Sequence, residues 1–140
     1  MTRSRVALVV EDNPSALARA VRALKSRGVE VHACSHPEEA DGRGFLGSTP
    51  GGGLPPVDLP WSRVAVLFCD RELPGGWKGE DIVEAAAKAG VPTIIGMSSS
   101  TIFNQALARA GAGLTDLKPN VLARLEKGEF DAALPRPKKP

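Results

Sequence analysis

Two runs of consecutive apolar residues, Val6–Val10 and Val64–Cys69, constrain the fold more than any other feature of the chain. A strand with one wet face alternates apolar and polar side chains, whereas a strand covered on both faces reads as a continuous β-branched and aliphatic run. Both runs are of the second kind and predict central strands of a sheet with helices on both faces. They fall far short of the roughly 20 residues that cross a bilayer, and neither resembles a secretory signal. No membrane insertion and a cytoplasmic location are therefore expected. The 140 residues match one domain, and the formal charge of +2 is too small to imply nucleic acid by itself.

Regular structure alternates along the chain. Asn13 offers a side-chain cap, Pro14 suits the first helical position, and Leu17, Val21 and Leu24 mark an apolar stripe ending at Gly28, which predicts a helix over 14–27. Val29, Val31 and Ala33 alternate with polar residues and predict a second strand. A short helix around Pro37 to Ala40 is thinly supported. Residues 41–62 hold Gly51-Gly52-Gly53 and four prolines, and read as a long surface loop, an insertion with little cost in stability. After Val64–Cys69 and a Pro74-Gly75-Gly76 turn, a helix is expected over 79–89, a strand over Thr93–Met97, and a helix with Ile102, Phe103, Ala106, Leu107 and Ala110 that stops at Gly111. Leu114–Leu117 is a weak last strand, Pro119 opens a final helix, and 129–140 is read as a flexible tail, so that 1–128 form the folded domain. Five strands alternating with helices predict a parallel α/β sheet. Cys34 and Cys69 end two buried strands and are expected to stay reduced, a third strand holding them about two spacings of 4.8 Å apart.

In such sheets binding chemistry gathers at the carboxyl ends of the strands. Here those ends carry Glu11-Asp12, Asp70 and Ser98, with Lys118-Pro119 after the last strand. Each has a plain structural alternative: Asp12 or Asn13 as a helix cap, Asp70 as a turn former, Ser98 to Ser100 as a cap, Lys118 as surface charge. In this order they resemble the response regulator receiver domain. Val9-Val10-Glu11-Asp12-Asn13 is similar to its acidic opening, and Asp70-Arg71-Glu72-Leu73-Pro74-Gly75 to its phosphoacceptor turn. Ile94-Ile95-Gly96-Met97-Ser98-Ser99 is similar to its fourth strand, and Ala110-Gly111-Ala112 followed by Lys118-Pro119 to its fifth-strand segment. The resemblance implies a flavodoxin-like five-stranded parallel sheet of order 2-1-3-4-5 and a bacterial two-component signalling context.

Three carboxylates close together repel one another unless a cation joins them, and Mg²⁺, a hard ion that keeps several waters, suits an oxygen-only site. The resemblance makes Asp12 and Asp70 direct ligands, Glu11 a ligand through water, and the backbone carbonyl of Glu72 the last protein contribution. It makes Asp70 the phosphoacceptor, with Lys118 offsetting phosphoryl charge and the Ser98 hydroxyl turning in afterwards. The donor it implies is a sensor histidine kinase or a phosphotransfer protein, the chain catalysing its own Mg²⁺-dependent phosphorylation and dephosphorylation without being an enzyme in the usual sense.

Two positions depart from the pattern. The family's aromatic residue three positions before the lysine is Thr115 here, and Asp116 stands where an apolar residue is usual. The output is expected to be a protein surface made by the helix over 102–110, the strand 114–117 and the last helix, including Leu107, Thr115 and Leu122; no output domain fits after Leu125. Thr115 and Asp116 keep a second reading open, a docking module that works without phosphorylation. A nucleotide or flavin site is disfavoured, because Glu-Asp-Asn-Pro stands where bare phosphates want glycines and free N–H groups. Trp77 is expected near the acceptor turn, and His32 and His36 are read as ordinary polar residues.

Overall fold

The computed structural model describes residues 5–51 and 53–135. Five parallel strands form the main sheet: β1 (Val6–Val10), β2 (Val31–Cys34), β6 (Val64–Asp70), β7 (Thr93–Ser98) and β8 (Leu114–Leu117), in the order β2-β1-β6-β7-β8. Counting only these strands, this is the expected order 2-1-3-4-5. The two apolar runs lie side by side at its centre, and both are buried throughout.

Side chains on successive residues of a strand point to opposite faces, and β1 divides accordingly between two cores. Ala7 and Val9 join the helices α1 (Pro14–Lys25) and α4 (Lys118–Glu126) through Leu17, Leu24, Val121 and Leu125. Val6, Leu8 and Val10 join α2 (Gly79–Lys88) and α3 (Thr101–Ala110) through Ile82, Val83, Ala86 and Leu107. The caps read from the sequence form: Asn13 Oδ1 accepts the Ala16 N–H at 3.0 Å and Ser100 Oγ that of Phe103 at 3.5 Å.

The expected loop over 41–62 is corrected, and so is the short helix before it. The segment from His36 to Arg63 folds as an antiparallel sheet of β3 (His36–Ala40), β4 (Gly44–Ser48) and β5 (Val57–Pro60), in the order β3-β4-β5, followed by a 3-10 turn at Trp61–Arg63. This sheet lies over the same core as α2 and α3. Phe45, Val57, Leu59 and Trp61 are all buried in it, and the Phe45 and Trp61 rings meet at 6.2 Å. Prolines do not prevent this, because Pro37 and Pro60 stand in the two outer strands, where a missing N–H breaks no interior ladder. The glycines mark close approach: a Cβ at Gly47 would lie 2.5 Å from Cys34 Sγ, so only glycine lets β4 settle against the end of β2.

The flexible tail is also corrected in its first part. Phe130 is buried against Phe68, ring centroids 5.9 Å apart, and a 3-10 turn follows at Asp131–Ala133; residues 136–140 of the expected tail lie outside the described residues. Cys34 and Cys69 are free and buried, flanking Val10 of β1 in register. Among the described residues no helix is long and apolar enough to cross a membrane.

Candidate functional site

Strand register brings the predicted residues together. Val10 pairs with Cys69, so Glu11 emerges beside Asp70; Asp70 pairs with Met97, so Ser98 lies one step further along the neighbouring strand; Ser98 pairs with Leu117, which delivers Lys118 at the start of α4. The Lys118 ammonium donates to Glu11 Oε2 at 3.0 Å and to Asp70 Oδ2 at 3.2 Å. Glu11 is fully buried and Asp70 nearly so, while Asp12 is exposed. One carboxylate oxygen from each of Glu11, Asp12 and Asp70 lies within 4.8 Å of the others.

This packing has an electrostatic cost that falls on Glu11. Burial, then the charge of Asp70, push its carboxyl up to about 7, against which the Asn13 N–H and Lys118 pull only partly. Burial disfavours the Lys118 ammonium as well, but the charges of Glu11 and Asp70 more than offset it and leave the group above its ordinary value. One oxygen of the cluster stays unpartnered: Glu11 Oε1 is buried with no hydrogen bond, although Oε2 accepts from both Asn13 N–H and Lys118. A small hard cation fits this set, since it would neutralise mutually repelling carboxylates and is served by oxygen donors alone.

The raised Glu11 pKa predicts a pH dependence. The folded chain holds this proton more tightly than the unfolded chain, so the contribution of Glu11 to stability is complete below its ordinary value of 4.5 and is lost as pH rises through about 7. Metal-free protein should therefore melt lower at pH 8 than at pH 6 by this term, and Mg²⁺ should raise the midpoint more at pH 8, where no proton has to be expelled. Glu11→Gln should flatten the difference. Equal Mg²⁺ stabilisation of wild type at both pH values would contradict the assignment.

The turn that follows Asp70 is shaped by its neighbours. Arg71 N–H donates to Asp70 Oδ1 at 2.7 Å, and Gly79 N–H donates to the Arg71 carbonyl at 2.9 Å. A Cβ on Gly79 would overlap the backbone carbonyl oxygen of Asp70, so the start of α2 packs onto Asp70 only because position 79 lacks a side chain. Glu72 pairs with Lys78 across an isolated bridge, which folds Leu73 to Trp77 into a small hairpin, and Trp77 is half-buried against the α2 and α3 side of the core. Ser98 is buried, and its Oγ accepts the Ser100 N–H at 3.2 Å.

Two features were not evident from sequence. The Arg71 guanidinium pairs with Glu80 at 3.0 Å and lies over the Phe103 ring at 4.2 Å, joining the turn after Asp70 to α3. No spacing in the chain announces this contact. Asp116 turns outward: its Oδ1 accepts from Leu117 N–H at 2.7 Å and from the Asn120 amide at 3.1 Å, bonds that hold its carboxyl below the ordinary range, and Oδ2 lies 3.7 Å from Arg124. Of the residues expected on the output surface, Thr115 is half-buried, whereas Leu107 and Leu122 are core residues in opposite clusters and are corrected here. His32 pairs with Glu30 at 2.7 Å and His36 Nδ1 with the Ser35 hydroxyl at 2.6 Å.

Comparison with known proteins supports the fold. No family model matches the chain, and no curated protein matches it by sequence. Solved structures do match. A CheY-like response regulator receiver domain protein from Methanospirillum hungatei JF-1 superposes with a TM-score of 0.58 at 16% identity, over 94% of this chain and 97% of that one. The receiver domain of NtrX from Brucella abortus gives 0.61 at 16% identity, over 91% and 97%. A response regulator from Burkholderia pseudomallei, solved with a phosphorylated aspartic acid, a calcium ion and citrate, gives 0.58 at 16% identity, over 91% and 70%. The fold is that of response regulator receiver domains.

Proposed function

We propose that this chain is a single receiver domain that accepts a phosphoryl group on Asp70 and signals through protein contacts. The observation that carries the reading is one convergence: oxygens of Glu11, Asp12 and Asp70 within 4.8 Å of one another, with the Lys118 ammonium 3.2 Å from Asp70. The fold shared with receiver domains supports it, and a cytoplasmic site of action follows from the reading.

The step is a phosphoryl transfer from a phosphohistidine. A carboxylate oxygen of Asp70 forms a bond to phosphorus, the phosphorus–nitrogen bond breaks, and the imidazole leaves with its electron pair. Such transfers ask the protein mainly to position reactants and offset charge. Lys118 meets the developing charge on the phosphoryl oxygens, and the Arg71 N–H holds Asp70 in its rotamer. Ser98, released from the Ser100 N–H, donates its hydroxyl hydrogen to the product. Asp12 and Asp70 directly, Glu11 through water and the Glu72 carbonyl would hold Mg²⁺, which when bound supplies charge neutralisation between carboxylates and phosphate.

The donor in this reading is a sensor histidine kinase or phosphotransfer protein. The output face is built on α3, β8 and α4. Because Thr115 replaces the usual ring and Asp116 is held by Asn120 and Arg124, we assign the first relay from the site to Arg71 and Phe103 rather than to β8. Incubation with acetyl phosphate and Mg²⁺ followed by intact mass measurement tests the function. One added phosphoryl group, dependent on the cation, is expected. An unchanged mass under conditions that label a control receiver would favour the phosphorylation-independent docking module instead.

A further inference from the structure

We propose that the groove between α1 and the β4–β5 connection binds a small amphiphile with an apolar body and one anionic group. Its volume is about 920 Å³, within the range of sites that hold small molecules. The proposal is independent of the phosphoryl-acceptor reading.

One wall is a single stripe of α1. Pro14, Leu17, Ala18, Val21, Arg22 and Lys25 all line the groove, and their spacing places them on one helix flank over about 16 Å. The opposite wall is supplied by the β4–β5 connection, through Thr49, Pro50 and Leu54. Leu54 packs against the same cluster as Val21, and the Ser35 N–H donates to Thr49 Oγ1 at 3.2 Å, tying that wall to the end of β2. The groove thus exists because residues 36–60 fold back over the sheet edge.

Charge divides along its length. The first two turns of the α1 stripe are apolar, and the last carries Arg22 and Lys25, both exposed. Among the described residues neither side chain makes a hydrogen bond or ion pair; the charge of Arg22 helps lower the Glu126 carboxyl, which Arg19 already holds at 2.6 Å. Basic residues in a last turn offset the helix dipole, which accounts for their sign and leaves their N–H donors facing solvent along the groove. Asp12 stands at the other end and repels an anion there. These charges orient the ligand, with its anionic group toward Lys25 and its apolar body along Val21, Ala18 and Leu17.

Decanoate, kept below its micelle concentration, is the probe, with decyltrimethylammonium as the comparison, followed by amide shifts in the full chain. Saturable one-to-one binding of decanoate is expected, with shifts centred on Ala18, Val21 and Leu54 and with the cation binding at least about tenfold more weakly, one decade of affinity. Arg22→Glu with Lys25→Glu, both at exposed positions, should lower decanoate affinity by a similar factor, and Ala18→Trp should abolish it by filling the groove. If Ala18→Trp fails to fold, the charge-reversed protein decides alone. Equal binding of the two amphiphiles, shifts centred elsewhere, or affinity unmoved by charge reversal would overturn the proposal. So would binding only of an acidic helical peptide, or only of phosphatidylglycerol vesicles.

Discussion

Asp70→Asn is expected to abolish the covalent adduct formed with acetyl phosphate and Mg²⁺, leaving no labelled protein at times when wild type is fully modified. The substitution preserves shape and keeps an oxygen for the Arg71 N–H, which now donates to Oδ1 at 2.7 Å. It removes the nucleophile, because an amide oxygen does not form a stable bond to phosphorus under these conditions. The fold should survive. Lys118 keeps Glu11 at 3.0 Å as a partner, and loss of the Asp70 charge relieves one of the causes that push the Glu11 carboxyl up. Intact mass with peptide mapping is the measurement. A variant labelled to the wild-type level would move the acceptor to another group and would end the assignment of Asp70.

Phe45→Ala is expected to cost about 3–5 kcal/mol of unfolding free energy, the usual consequence of removing a buried ring. Phe45 lies in β4, is 1% exposed, and packs with Trp61 in the same cluster as β1, β6 and α2. A side chain in a detachable surface loop would cost no more than about 0.5 kcal/mol. Chemical denaturation followed by far-ultraviolet circular dichroism separates the two by the transition midpoint. A loss at the lower figure would mean that β3 to β5 form an appendage with no share in the stability of the main sheet.

The contrast between these two residues is also the contrast between what sequence reasoning read and what it missed. The position of Asp70 was legible because β6 is an unbroken apolar run whose carboxyl end must lie among the strand ends of the sheet, and the order of acidic, hydroxyl and ammonium residues at successive strand ends left few arrangements open. Phe45 was not, because β4 itself contains Gly44 and Gly47 and its neighbouring strands carry prolines, a composition that ordinarily marks irregular structure. The apolar residues that the second sheet buries, Phe45, Val57, Leu59 and Trp61, were visible as letters. Their burial depends on close approaches at Gly44, against the Leu59 carbonyl, and at Gly47, against Cys34, and these are tertiary facts. Arg71 over Phe103 belongs to the same class, as does the burial of Leu107 and Leu122, which a helical stripe permits but does not assign to a surface or a core.

The packing of Gly47 on Cys34 gives the molecule two internal clocks. Both thiols are silent in the closed state: burial pushes Cys34 up to about 12 and Cys69, wholly enclosed, well above its ordinary value. A thiol reagent reaches them only through openings, and the openings differ. Cys34 is uncovered when β4 lifts from the end of β2, a partial event, whereas Cys69 sits in the middle strand of the main sheet and waits for that sheet to come apart. The ratio of their modification rates under native conditions therefore measures how far the small sheet can detach while the rest of the chain stays whole.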